Sequence, residues 1–262
     1  MGTKDNKDLA KKEHWDAVYH SYRVSAKWKP SSYEEICLEQ MFNNAIEKHK
    51  PESVLEVGCG NTHWLGYIQQ RHGLSVAGLD YSEKGCELAR GNLERQGATG
   101  TIHCGDMFTA DPAEIGTYDM LYSLGVVEHF ENLEHVLATL ARFLKPGGLM
   151  ITEIPNLASF HGALDWVWQP ELYYKHKVIR KKALIDAHNK AGLKFSDAYY
   201  LGRFSMNIVN WEVYHRFGFF KHLVPFMRKV AGKTNQIMLR RGDTGPGSAF
   251  LSPFIVYEGT LG

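Results

Sequence analysis

Two glycines and two carboxylates carry the first chemical signal in this sequence. The run Val54-Leu55-Glu56-Val57-Gly58-Cys59-Gly60 is apolar apart from Glu56 and closes on a glycine turn, and Asp80 ends a second apolar run. Apolar and β-branched residues of this kind suit a strand buried on both faces of a parallel sheet. Gly58 and Gly60 permit a tight turn with close backbone approach to a ligand. A helix over roughly Thr62 to Arg71 would aim its free N–H groups at that ligand. The second run, Ser75 to Asp80, sets a carboxylate beside the turn, where it can accept hydrogen bonds from both hydroxyls of a ribose. Together these residues specify a nucleoside site.

Three residues narrow the nucleoside. A dinucleotide fingerprint needs a third glycine at position 63, where helix and strand pack closely, and this chain has His63. Gly60 is followed by Asn-Thr-His, not by the Gly-Lys-Ser/Thr of a phosphate loop. Glu56 would repel a pyrophosphate and welcome a cationic amino acid. S-adenosylmethionine carries a sulfonium and an ammonium and no phosphate.

On these residues the sequence resembles the class I S-adenosylmethionine-dependent methyltransferases over roughly residues 50–155. Glu56 to Gly60 resembles the first motif of that family, with Thr62 where many members carry another glycine. Asp80 resembles the ribose partner, followed by Tyr81 against the adenine, and Gly105-Asp106-Met107-Phe108 resembles the adenine-edge motif. Tyr118 to Phe130 resembles the segment beside the methionine part, and Leu144-Lys-Pro-Gly-Gly148 the turn into strand five. Singly, each has an ordinary reading as a strand-to-helix turn, an N-cap or a helix stop; in order along one chain they reinforce one another. The resemblance implies S-adenosylmethionine held by Glu56, Gly58, Cys59, Gly60, Asp80, Tyr81, Asp106, Met107, Ser123 and Leu124.

Methyl transfer is an in-line displacement at carbon, so the protein mainly holds acceptor and sulfonium in near-attack geometry and excludes water. A base is needed only for a hydroxyl or protonated amine acceptor. His129, next to Glu128 after strand four, is the first candidate, because an ordinary imidazole accepts a proton near pH 7. Glu153 and Asn156 follow, at the carboxyl end of strand five where ligands of open α/β sheets collect. Glu153 could bind or deprotonate an amine, or simply pair with a neighbouring Lys or Arg. His161, Tyr173 and His176 could reach the site but read as structural or solvated. Relatives that methylate quinone precursors carry Glu-x-x-Glu-His here and use a metal; Gly125 replaces the first glutamate, so no metal is expected. The function expected is transfer to an oxygen or nitrogen of a small-molecule acceptor. A protein or peptide acceptor, or a cofactor-binding partner without turnover, is the alternative.

The whole chain bounds this reading. Its 262 residues, 44% hydrophobic, suffice for one large α/β domain with an appended cap. A net charge of +1 gives no reason to expect nucleic acid. Cys37, Cys59, Cys86 and Cys104 form no Cys-x-x-Cys pair, which points away from zinc and disulfides and towards a reducing cytoplasm. No apolar run reaches the ~20 residues that span a bilayer, and the polar N-terminus lacks a secretion signal.

The elements that position these residues follow from periodicity. Strands are expected near 53–57, 75–79, 101–104, 118–123, 149–154 and 194–201, with a last one over Ala249 to Tyr257 that Pro253 assigns to an edge or bulge. Helices are expected near 62–71, 83–95, 131–144 and 178–191. The architecture is a doubly wound, mostly parallel seven-stranded sheet in residues 51–202 and 249–262. Residues 1–50 hold an aromatic patch at Trp15, Tyr19, Tyr22 and Trp28 and a helix from about Ser32 to Lys48, and the resemblance implies that this segment lies over the cofactor as a lid. Residues 203–248, rich in aromatic and basic residues, are expected to cap the acceptor site. The stretch 212–233 could lie on an anionic membrane or meet an acidic substrate, but Gly218 and Pro225 interrupt it, and a cap with a solvated basic face is the reading adopted.

Overall fold

The computed structural model describes residues 7–24, 28–206, 223–242, 244 and 247–262. Two helices, α1 (Lys12–His20) and α2 (Tyr33–His49), precede an alternating core. That core runs β1 (Ser53–Val57), α3 (Trp64–His72), β2 (Ser75–Asp80), α4 (Glu83–Gln96), β3 (Thr101–Cys104), α5 (Pro112–Ile115), β4 (Tyr118–Leu124), α6 (Leu133–Ala141) and β5 (Leu144–Pro155). It continues through α7 (Phe160–Trp168), α8 (Pro170–Tyr173), α9 (Lys181–Lys190), β6 (Leu193–Leu201), α10 (Val224–Arg241) and β7 (Phe254–Leu261). The strands make one sheet in the order β3-β2-β1-β4-β5-β7-β6, with β7 antiparallel to both neighbours and the other ladders parallel.

Both faces of the central strands are covered, which is why β1, β2, β4 and β5 carry continuous buried runs rather than alternating ones, whereas β6 at the sheet edge is largely exposed. Successive residues of β1 point to opposite sides: Val54 joins Phe42, Trp64 and Ile68 on one face, and Leu55 joins Leu121, Leu137 and Met150 on the other. The strand order reverses between β1 and β4, so a crevice opens at their carboxyl ends, where open α/β sheets bind ligands.

Four expectations are corrected. Helix α2 is core rather than lid: Tyr33, Cys37, Met41 and Phe42 are buried against the sheet, and a capping box between Ser32 and Glu35 starts the helix. The last strand begins at Phe254, after Pro253, and is interior, between β5 and β6; the proline precedes the ladder instead of interrupting it. Strand β5 already starts at Leu144, opposite Tyr118, and Lys145 to Gly148 bulge out before pairing resumes at Leu149 opposite Met120. Helix α3 begins at Trp64, with the Thr62 hydroxyl accepting from the Trp64 N–H at 3.1 Å. Part of the basic stretch, including Arg216, Gly218 and Lys221, lies outside the described residues.

Candidate cofactor and acceptor site

At the reversal point lies a cavity of about 390 Å³. The turn after β1 enters it because Gly58 holds φ at +79°, and a side chain there would also collide with Val126. Asp80 closes the neighbouring wall: Oδ2 accepts from the Gly60 N–H at 2.8 Å and Oδ1 from the Ser82 N–H at 2.7 Å. Each oxygen keeps a further lone pair for a ligand hydroxyl. Burial raises the Asp80 carboxyl above its ordinary range, and those two backbone donors draw it back. Beyond β3, Asp106 Oδ1 accepts from the Phe108 N–H at 2.9 Å, an Asx turn that holds Met107 in the cavity wall. Leu124 and Gly125 form the wall at the end of β4, and Tyr81 lines it with its hydroxyl donating to Asp8 Oδ2 at 3.2 Å.

Four of the expected cofactor residues, Glu56, Cys59, Gly60 and Ser123, are not in this wall. The Glu56 carboxyl is buried and accepts from the Tyr122 hydroxyl at 2.8 Å, and burial pushes it up to about 8. It is therefore a largely neutral brace for the turn, not the exposed anion that an ammonium group was expected to meet. Cys59 is buried against Gly78, and Ser123 is fully buried at the end of β4.

The roof comes from the N-terminal segment. Leu9 N–H donates to the His129 carbonyl at 2.8 Å, and Asp8 pairs with Phe130 in an isolated antiparallel bridge. Trp15 then meets the His129 ring edge-on, with centroids 5.1 Å apart and planes at 83°. Tyr19 rests on the glycine turn, in the space a β-carbon at residue 60 would occupy. The aromatic patch was visible in the sequence. Asp8 gave no signal there, since a lone aspartate near a charged start looks like any solvated one. No described residue of 203–248 lines the cavity; α10 packs on α2 instead, with Asn235 Oδ1 accepting from the Tyr33 N–H at 2.8 Å.

Past the cavity's Gly125 end, polar groups converge. His129 lines the cavity, and its Nδ1 donates to the Lys175 carbonyl at 2.9 Å, which leaves Nε2 as the acceptor nitrogen. His176 is fixed the same way, Nδ1 to the Leu172 carbonyl at 2.8 Å, and the two rings lie 4.4 Å apart. Glu128 Oε1 is 3.9 Å from His129 Nε2, and its other oxygen is buried without a hydrogen-bond partner. One ligand-type atom from each of Glu128, His129 and His176 lies within 4.8 Å of the others.

Burial changes the chemistry expected here. It lowers His129 to about 3, with the nearby His176 charge adding to the effect, so the imidazole is neutral at pH 7 but a weak base. This corrects the reading of His129 as a near-neutral acid–base group. Glu128 is pushed up to about 8 by burial, and Glu153 well above its ordinary value by burial and then by Glu128. Glu153 pairs with no Lys or Arg among the described residues and lies behind the cavity wall, a protonated carboxyl instead of a base. Asn156 spends its amide on the Ala249 and Ser252 carbonyls, both at 3.0 Å, and is structural.

The set Glu128, His129 and His176 fits a divalent transition metal. Two neutral imidazoles with their Nδ1 protons held by backbone carbonyls face a carboxyl with an unpartnered oxygen, the second-shell arrangement that orients histidine ligands. His176, which the sequence could not bring to this point, is the third group of the cluster.

Residues 54–148 match the family model described as a methyltransferase domain. A ubiquinone biosynthesis O-methyltransferase of Rhizobium johnstonii is 30% identical over 154 residues, which cover 55% of this chain and 60% of that protein. The chain thus spans about 60% of the length of the curated relatives it matches. Among solved structures, the N-methyltransferase NodS of Bradyrhizobium japonicum, in complex with S-adenosyl-L-homocysteine, superposes with a TM-score of 0.59 at 10% identity, covering 97% of this chain and 99% of that one. The [4+2]-cyclase SpnF has a TM-score of 0.58 at 11% identity, covering 100% and 99%. The matched residues hold β1 to β4, whose carboxyl ends and following loops form most of the cavity wall, so the likeness to methyltransferase domains falls on the part of the chain that builds the cavity.

Proposed function

We propose that this chain binds S-adenosylmethionine in the cavity and transfers its methyl group to an oxygen or nitrogen of a small-molecule acceptor. The observation that carries this reading is Asp80, whose carboxyl oxygens each hold one backbone donor and retain a lone pair at the cavity wall. In this reading Asp80 takes the ribose hydroxyls, Tyr81 and Met107 flank the adenine, and Leu124 and Gly125 run beside the methionine part. Trp15 and Tyr19 close the site from above, which excludes water and holds acceptor and sulfonium in line. His129 presents an unprotonated Nε2 that accepts a hydrogen bond from the acceptor and orients it. A small acceptor is favoured over a protein or peptide because Leu9 bonds to the His129 carbonyl and Trp15 packs on its ring, which leaves His129 buried. No helix among the described residues is long and apolar enough to cross a membrane, and with four free cysteines, three of them buried, a cytoplasmic setting is the natural one.

A second reading is favoured by the Glu128, His129 and His176 cluster: a divalent metal held there would lower the pKa of an acceptor hydroxyl. That chemistry would supply what His129 and Glu153, neutral and weakly basic, do not. Incubation with radiolabelled S-adenosylmethionine and a metabolite extract tests the proposal. Methylated small molecules support it, label in protein supports the peptide alternative, and tight cofactor binding without turnover leaves a partner protein.

A further inference from the structure

The described part of the basic stretch lies outside the cavity wall and has a surface of its own. Residues 213–242 contain seven Lys and Arg and no Asp or Glu, in a chain whose 30 basic and 29 acidic residues nearly balance as a whole. The described part of this stretch is dominated by α10. Pro225, expected to interrupt a helix, lies in the first turn of α10, where no intrahelical N–H bond is lost.

One face of α10 is anchored: Met227 and Ala231 pack in a small cluster with Phe160 and Trp168 of α7, while Asn235 and Met238 engage α2 and the core. The opposite face carries Phe226, Lys229, Lys233, Ile237, Arg240 and Arg241. At 100° per residue these six fall within an arc of about 120°, along about 22 Å of helix. Phe226 and Ile237 are 60% and 48% exposed, so two apolar side chains stand in solvent among cations. No ion pair among the described residues involves Lys229, Lys233, Arg240 or Arg241, although cations elsewhere, such as Lys145 and Lys190, are paired.

We propose that this outer face of α10 docks the protein onto an anionic phospholipid membrane. Apolar side chains that enter the headgroup boundary, flanked by cations that meet phosphates, are the pattern of an interfacial helix. Charge alone would suit nucleic acid equally. Ile237 offers no stacking surface for a base, whereas it gains by leaving water at an acyl boundary. The proposal stands independently of the methyl-transfer reading.

Co-sedimentation of the full chain with vesicles decides it. The protein should pellet with mixed phosphatidylglycerol and phosphatidylcholine vesicles, remain in solution with pure phosphatidylcholine, and be released by salt. The triple variant Lys229→Glu, Lys233→Glu, Arg240→Glu should lower partitioning by roughly tenfold or more, since each cation near an anionic surface contributes favourably. Phe226→Ser with Ile237→Ser should weaken binding while leaving its salt dependence intact. An unchanged melting temperature certifies the fold of each variant, and the Lys and Arg to Gln set replaces the glutamates if they unfold it. Equal pelleting with neutral vesicles, equal binding by the charge-reversed chain, or release from vesicles by an RNA homopolymer at equal phosphate concentration would overturn the proposal.

Discussion

The Gly60 N–H donates to Asp80 Oδ2 at 2.8 Å, so the residue proposed to hold the ribose also holds the turn that the cofactor approaches. The two halves of the first sequence signal are one hydrogen-bonded unit. Asp80→Asn should therefore weaken S-adenosylmethionine by roughly 1.5–3 kcal/mol, the range for hydrogen bonds to a charged group, and also lower the melting temperature. Calorimetry on the folded variant checks the first effect; an unchanged dissociation constant would remove Asp80 from the ribose contact.

Cofactor choice is open to a direct comparison. S-adenosylmethionine and its demethylated product should both raise the melting temperature, and NAD should leave it where it is. The bulky His63 at the position of a third glycine, followed by Trp64 packed in the core, departs from the close helix–strand packing of a dinucleotide site. Stabilisation by NAD alone would reverse this assignment.

The cluster beside the cavity predicts a metal response. Titrating zinc or manganese into chelator-treated protein should raise the melting temperature, and His176→Ala should abolish that rise. In His129→Ala the same response should be lost while S-adenosylmethionine affinity stays within a few-fold of normal, because His129 faces the acceptor end. A metal-induced shift that survives both substitutions would place the ion elsewhere.

Glu128 gives the fold a pH signature. Burial pushes its carboxyl up to about 8 from the 4.5 of an unfolded chain, so the native state keeps the proton that the unfolded state releases. That contribution is fully present below about pH 4.5 and is lost as pH rises towards 8, at about 1.4 kcal/mol per unit. Glu128→Gln cannot ionise. With chelator present, its melting temperature should match wild type near pH 5 and exceed it near pH 9. A difference that stays constant across this range would refute the raised value.

Much of this protein was written in local sequence. Val54 to Gly60, Ser75 to Asp80 and the periodicity of the α6 residues Leu133, Val136, Leu137 and Leu140 fixed the strands and helices of the core, because apolar spacing and glycine turns act within a few residues. The same residues predicted the nucleoside cavity, since a strand, a turn and a following carboxylate must meet at the end of a parallel pair.

Other features depend on groups distant in sequence. That Glu56 is a buried neutral brace and not an anion at the wall, that His129 is held near 3 and not near neutrality, and that His176 joins Glu128 follow from which side chains exclude water around them. Charge state and ligand geometry are properties of packing, set by Trp15 from the N-terminal segment and by carbonyls of residues 172 and 175 beyond α7. Helix α10 makes the same point in reverse: its basic composition was plain, but only docking of Met227, Ala231 and Asn235 decided which of its residues face solvent. A sequence fixes what each short segment prefers. Desolvation and the facing of side chains arise only when distant segments close on one another.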